Sequence, residues 1–174
     1  MESRIDYTKA PGVMHAMLGL GKYLSQCGLD PGLLDLVNLR ASQINGCAYC
    51  IDMHWKDLRA RGEDEQRLYG LDAWAESPYY TERERAALAW TEAVTRLTEG
   101  HVPDAVFEEV RRFFNEKELA DLTLAVVTIN GWNRLNVALR TPAGTYQPGQ
   151  WSETQKPSRP PQAQVRETAA IATR

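Results

Sequence analysis

The chain has 174 residues and a mass of 19.6 kDa, enough for one domain that buries a core without disulfide or metal staples and too short for two large ones. Lys and Arg number 20 against 23 Asp and Glu, a net charge of −3 with a pI near 5.7, which excludes a basic field for nucleic acid or an anionic membrane. No apolar run of about 18 residues and no tripartite secretory leader is present, so a soluble, cytoplasmic protein with no membrane partner is expected.

Apolar residues recur at helical spacing through most of residues 10–140, and alternating β-branched runs are scarce, an all-α pattern. A first helix is expected from about Pro11 to Gln26, stopped by Gly28. Asp30-Pro31, a cap followed by proline at the first helical position, opens a second that reaches Ile44 and breaks at Asn45-Gly46. A third starts at about Gly46, carries Cys47, Cys50, His54 and Leu58, and ends at Gly62. A short helix follows near Asp64–Trp74. Thr81 with Glu84 forms a capping box ahead of Ala86, Leu88, Trp90 and Val94. Pro103 opens a helix through Phe113, and a last long one covers about Glu116–Leu139. About seven helices make a compact bundle.

From Thr141 the composition changes: five of the nine prolines and five glutamines fall in the final 34 residues, which cannot form a core alone. Residues 1–140 are therefore read as the helical domain. Residues 141–174 are read as a tail, either flexible or an oligomer-contact arm anchored by Tyr146 and Trp151. The segment Ser42-Gln43-Ile44-Asn45-Gly46 is echoed 85 residues later by Val127-Thr128-Ile129-Asn130-Gly131. The echo suggests two related helical hairpins, of which the second has Trp132 and Leu135 where the first has cysteines.

Three cysteines cannot make a secreted disulfide framework, and Cys47 and Cys50 lie three apart, a spacing that intracellular proteins use for redox chemistry or metals. Residues three and four apart on a helix share a face, so Cys47, Cys50 and His54 form one line. At a helix start, unpaired N–H groups and the helix dipole favour a thiolate. His54 is placed to exchange a proton with Cys50 directly or through water. If the flanking helices fold back at Asn45-Gly46, Asp35 lies nine residues before the turn and His54 eight after it. At about 1.5 Å per residue they reach the same level, so Asp35 can orient His54. A carboxylate, an imidazole and a thiol in series is the arrangement of an activated nucleophile.

Asp35-x11-Cys47-Ala-Tyr-Cys50-x3-His54, with Leu39-Arg40-Ala41-Ser42-Gln43-Ile44-Asn45-Gly46 before the first cysteine, resembles the alkylhydroperoxidase D-like branch of the carboxymuconolactone decarboxylase superfamily. The resemblance covers most of residues 10–140. It implies a helical array, homo-oligomers built as trimers or hexamers, and a redox-active Cys-x-x-Cys that reduces hydroperoxides with electrons from a lipoylated or other dithiol protein. By that resemblance Cys50 attacks the peroxide, Cys47 resolves the sulfenic acid to a disulfide, and His54 with Asp35 moves protons. The family's relay usually carries Glu where this chain has Asp35, one methylene shorter, which calls for a bridging water. The helix-start reasoning, taken alone, favours Cys47 as the more acidic thiol, so the roles of the two cysteines stay open.

Competing readings attach to the same residues. A zinc site would need Asp35, His15 or His101 as a fourth ligand. A structural disulfide closing so short a loop would remove little unfolded-state entropy. A decarboxylase or lactone-processing enzyme of the same superfamily would leave the cysteines incidental, and a non-enzymatic redox sensor would use them to change oligomer contacts. His15 and His101 read as packing or loop residues and Cys27 as a small buried hydrophobe. Tyr49 either lines the peroxide approach or packs, and Trp55, Trp74, Trp90 and Trp132 read as core or subunit contacts. No Gly-rich phosphate loop or Ser-His-Asp layout appears, so neither a nucleotide nor a flavin cofactor is expected and no metal is assigned.

Overall fold

The computed structural model of the chain describes residues 2–151. The described residues hold seven α-helices: α1 (Pro11–Leu24), α2 (Pro31–Asn45), α3 (Ala48–Ala60), α4 (Glu65–Tyr69), α5 (Glu82–Thr95), α6 (Asp104–Val110) and α7 (Glu116–Leu139). The described residues contain no strand. None of these helices is long and apolar enough to cross a membrane.

The boundaries follow local chemistry. Asp30 accepts a hydrogen bond from the Leu33 N–H at 2.8 Å, and Pro31 occupies the first helical position, where a missing N–H costs nothing. Gly46 closes α2 in the left-handed region at φ 65°. The N–H of Cys47 then reaches back to the Ser42 carbonyl at 3.0 Å, a helix-ending motif that a side chain at position 46 would strain. The capping box of Thr81 and Glu84 starts α5, and an equivalent box of Asn115 and Glu118 starts α7. Three expected helices are shorter than their periodicity suggested. α1 ends at Leu24, α6 ends at Val110, and the 64–74 stretch is α4 followed by a separate 3-10 turn at Leu71–Ala73.

α2 is the central helix, and its buried residues Leu33, Leu36, Val37, Leu39, Arg40, Ala41 and Ser42 point in every direction around its axis. On one side Leu33 and Val37 meet Ala87 and Trp90 of α5, Val110 of α6 and Leu122 and Val126 of α7. On another, Leu36 and Leu39 meet Leu58 of α3, Leu68, Leu71 and Leu88. Each such buried leucine contributes roughly 1.5–3 kcal/mol. At the C-terminal end of α2 a third cluster joins Ala41, Cys47, Cys50 and Ile129, flanked by Tyr49 and Trp132. Trp90 is buried, while Trp55 and Trp74 pack partly buried against the second cluster. Cys27 is half-buried against the first.

α7 passes beneath the α2–α3 turn. The echoed segments touch each other: Asn45 Nδ2 donates to Asn130 Oδ1 at 3.0 Å, the two positions 85 apart. α7 runs through Gly131 without a break, whereas Gly46 turns the chain. A Cβ at Gly131 would lie 3.1 Å from Met17 Cε, a tight contact to which the end of the Met17 side chain would have to yield where α1 lies against α7. After α7 the chain folds back along α3: Lys56 Nζ donates to the carbonyls of Gly144 and Tyr146, and the Gly144 N–H donates to Asp52 Oδ2. Tyr146 is buried against its own chain, while Trp151 stays largely exposed. The tail from residue 152 lies outside the described residues.

Candidate active site

Cys47 has extended backbone (φ −84°, ψ 94°) and is the N-cap of α3 rather than its first helical residue. Its sulfur takes the position that a serine oxygen takes in other caps and accepts the Cys50 N–H at 3.4 Å. Cys50 is the third residue of α3, still inside the turn of unpaired N–H groups. The two Cα atoms are 5.4 Å apart and the sulfurs lie at disulfide distance. Each cysteine is 1% exposed.

The sulfurs differ in their surroundings. Cys50 lines a cavity of about 440 Å³ whose walls are Tyr7, Met14 and Leu18 from the N-terminal region, Tyr49, Met53 and Asp57 from α3, Ile129, Trp132 and Asn136 from α7, and Tyr146 and Trp151 from the returning segment. Cys47 is not part of that wall. Asn136 Nδ2 donates to the Cys50 Sγ at 3.4 Å, from a position 86 residues away in sequence.

Asp35 and His54 do come together: His54 Nδ1 lies 3.4 Å from Asp35 Oδ1. Neither imidazole nitrogen makes a hydrogen bond. Arg61 Nε lies 3.1 Å from the other Asp35 oxygen. His54 and Asp35 open onto a second cavity of about 380 Å³, with Asn38 and Thr128. Met53, Arg61, Ile129 and Trp132 line both cavities. The expected relay thus has its imidazole one turn from Cys50, with no hydrogen bond between them, because residues at i and i+4 share a face without their polar atoms having to meet.

In the wall of the larger cavity the Tyr146 hydroxyl is shared between both oxygens of Asp57, at 2.8 and 2.9 Å. Burial pushes the Asp57 carboxyl above the ordinary aspartate value; the Tyr146 hydroxyl pulls the other way and the nearby Asp35 charge adds to the rise. Burial, followed by the bond to Asp57, raises the Tyr146 phenol. Trp151 Nε1 donates to the Tyr49 hydroxyl at 3.1 Å, so Tyr49 lines the cavity and also holds its rim. Burial raises the Tyr49 phenol. His15 is exposed on α1, and His101 stands at φ 62° in the loop before α6. Among the described residues no three His, Cys, Asp or Glu side chains converge as metal ligands would.

Asn136 and Asp57 escaped the sequence reading, which named Tyr146 only as an anchor of the tail and not as a wall of the site. The one local signal was the spacing of Asn130, Asn133 and Asn136, three apart along one face of α7. Nothing in sequence says what that face meets.

An all-helical array with a cysteine pair at a buried helix start, opening on an apolar cavity, defines a thiol-bearing class of helical proteins. Residues 11–93 match the model of the carboxymuconolactone decarboxylase family. The chain is 41% identical over 140 residues to the uncharacterized protein YdfG of Bacillus subtilis, covering 80% of this chain and 95% of that one. A crystal structure of a protein of unknown function from Agrobacterium tumefaciens, described as a putative antioxidant defence protein AhpD, superposes with a TM-score of 0.80 at 42% identity. It covers 83% of this chain and all of the other. The debrominase Bmp8 shares the fold at 22% identity and a TM-score of 0.72, covering 79% of this chain and 74% of Bmp8. The chain belongs to the carboxymuconolactone decarboxylase family, in its AhpD-like branch.

Proposed function

We propose that the protein is a cytoplasmic thiol peroxidase that reduces organic hydroperoxides through Cys50 and Cys47. The observation that carries this reading is the Cys50 sulfur in the wall of an apolar, aromatic-lined cavity, beside a second sulfur within bonding reach. In the reduced protein the Cys50 thiolate attacks the terminal peroxide oxygen. The O–O bond breaks, an S–OH bond forms and the alkoxide leaves, taking a proton supplied from the His54–Asp35 pair through water. Cys47 then attacks the sulfenic sulfur, forming the disulfide and releasing water. A dithiol, carried by a lipoylated or other protein, returns both cysteines to thiols and is itself oxidised. A volume of about 440 Å³ exceeds what hydrogen peroxide fills, which favours a hydroperoxide with an apolar body. We further propose a homo-oligomeric assembly, a trimer or hexamer, in keeping with the resemblance of the motif.

The test is a thiol count. One equivalent of cumene hydroperoxide per chain should remove two thiols from the reduced protein, and Cys50→Ser should stay inert. An unchanged count in the wild type would refute the proposal. The same cavity and fold support a second reading, in which the pair reduces a halogenated aromatic: carbon–halogen becomes carbon–hydrogen, both thiols become the disulfide and hydrogen halide is released. Halide release from a bromopyrrole by the reduced protein, with no reaction toward hydroperoxide, would select it.

A further inference from the structure

Along α7, Asn130, Asn133 and Asn136 stand three residues apart on one face, the first two meeting the α2 end of the cysteine-bearing turn and the third its α3 side. Asn130 and Asn133 both accept from Asn45 Nδ2, at 3.0 and 2.9 Å, on the α2 side of Gly46. Asn133 donates to Ser42 Oγ at 3.0 Å. Asn136, on the α3 side, donates to the Cys50 sulfur. The first two asparagines fix the turn, and the third aims an N–H at the reacting atom.

We propose that Asn136 is a catalytic residue that stabilises the Cys50 thiolate, and that it is what separates the reactivity of Cys50 from that of Cys47. The reasoning deepens the peroxidase reading and rests on it for the peroxide step alone. A hydrogen bond to an anion is about twice as strong as one to a neutral acceptor, so an amide N–H held against Cys50 favours thiolate over thiol. Asn136 is 7% exposed, and little water stands ready to replace that donor. Cys47 takes its N–H from the main chain of Cys50, a bond that no side-chain substitution on α7 removes. The same Asn136 donor stays in reach when Cys50 carries oxygen, where it faces the sulfenic group before Cys47 displaces water from it.

The test uses the full chain with Cys27→Ser, so that only the paired cysteines react. Iodoacetamide alkylation is followed against pH with Cys47→Ser, reading Cys50, and with Cys50→Ser, reading Cys47. Asn136→Leu should move the Cys50 midpoint up by about one pH unit, roughly a tenfold loss of thiolate at pH values below both midpoints, and leave the Cys47 midpoint in place. Reaction with cumene hydroperoxide should slow about tenfold at the same pH. If the leucine variant does not fold, Asn136→Asp keeps the shape, removes the donor and places a carboxylate against the sulfur, and must shift the Cys50 midpoint upward by at least as much. An unmoved Cys50 midpoint in a folded variant overturns the proposal, and so does an equal shift at Cys47, which would mean that Asn136 only holds the turn. A shifted alkylation profile in a protein inert to peroxide would refute the peroxidase reading and leave the role of Asn136 standing.

Discussion

The junction of α2 and α3 is held by buried amides, and replacing Asn133 by alanine measures how strongly. Asn133 is 1% exposed. It accepts from Asn45 Nδ2 at 2.9 Å and donates to Ser42 Oγ at 3.0 Å, while Ser42, fully buried, donates onward to the Asn38 carbonyl at 2.7 Å. Two neutral hydrogen bonds amount to about 1 kcal/mol each. The void left by the carboxamide adds on the order of another 1 kcal/mol, since a packed helix crossing relaxes only in part. The expected loss is therefore about 3 kcal/mol, which for a chain of this size lowers Tm by roughly 6–12 °C. Urea unfolding of the reduced protein, followed by circular dichroism and tryptophan fluorescence, gives the number. A double-mutant cycle with Ser42→Ala should return a coupling of about 1 kcal/mol. A loss under about 1 kcal/mol, or strictly additive single changes, would refute the idea that this ladder carries the junction.

Gly46→Ala puts a side chain into open space but at φ 65°, so it should cost about 1 kcal/mol by backbone strain alone, read from the urea midpoint. Leu58→Ala empties a fully buried position in the α2–α3 core and should cost about 2–5 kcal/mol in the same assay. Burial raises Asp57, so the fold favours its protonated form. Its contribution to stability is present below the ordinary aspartate value of about 4 and is lost as pH rises through the raised folded value. Compared with Asp57→Asn, the wild type should lose stability over that interval, and parallel stability–pH curves for the two proteins would show the inference to be wrong.

Much of the scaffold was legible because it is local. Asp30-Pro31, Asn45-Gly46 and the Thr81–Glu84 box set helix ends through contacts within four residues, and the structure places those ends where the residues ask for them. Asp35 and His54 could be paired from spacing alone, since two helices folded back at a known turn have a computable register; the 3.4 Å approach is the result. Even the asparagine echo was visible, although not the fact that its two copies bond to each other.

Spacing along one helix could not say which sulfur faces a cavity, nor that His54 opens onto a different one. Those outcomes depend on α7, α1 and the returning segment arriving from far along the chain. The cysteine pair, its helix and the pairing of Asp35 with His54 are therefore properties of the sequence, because helical period and turn chemistry act within a few residues. The donor on Cys50, the walls around it and the Tyr146–Asp57 contact belong to the tertiary structure. They join residues some 90 positions apart, and only the packing of the whole bundle decides which side chains meet across that distance.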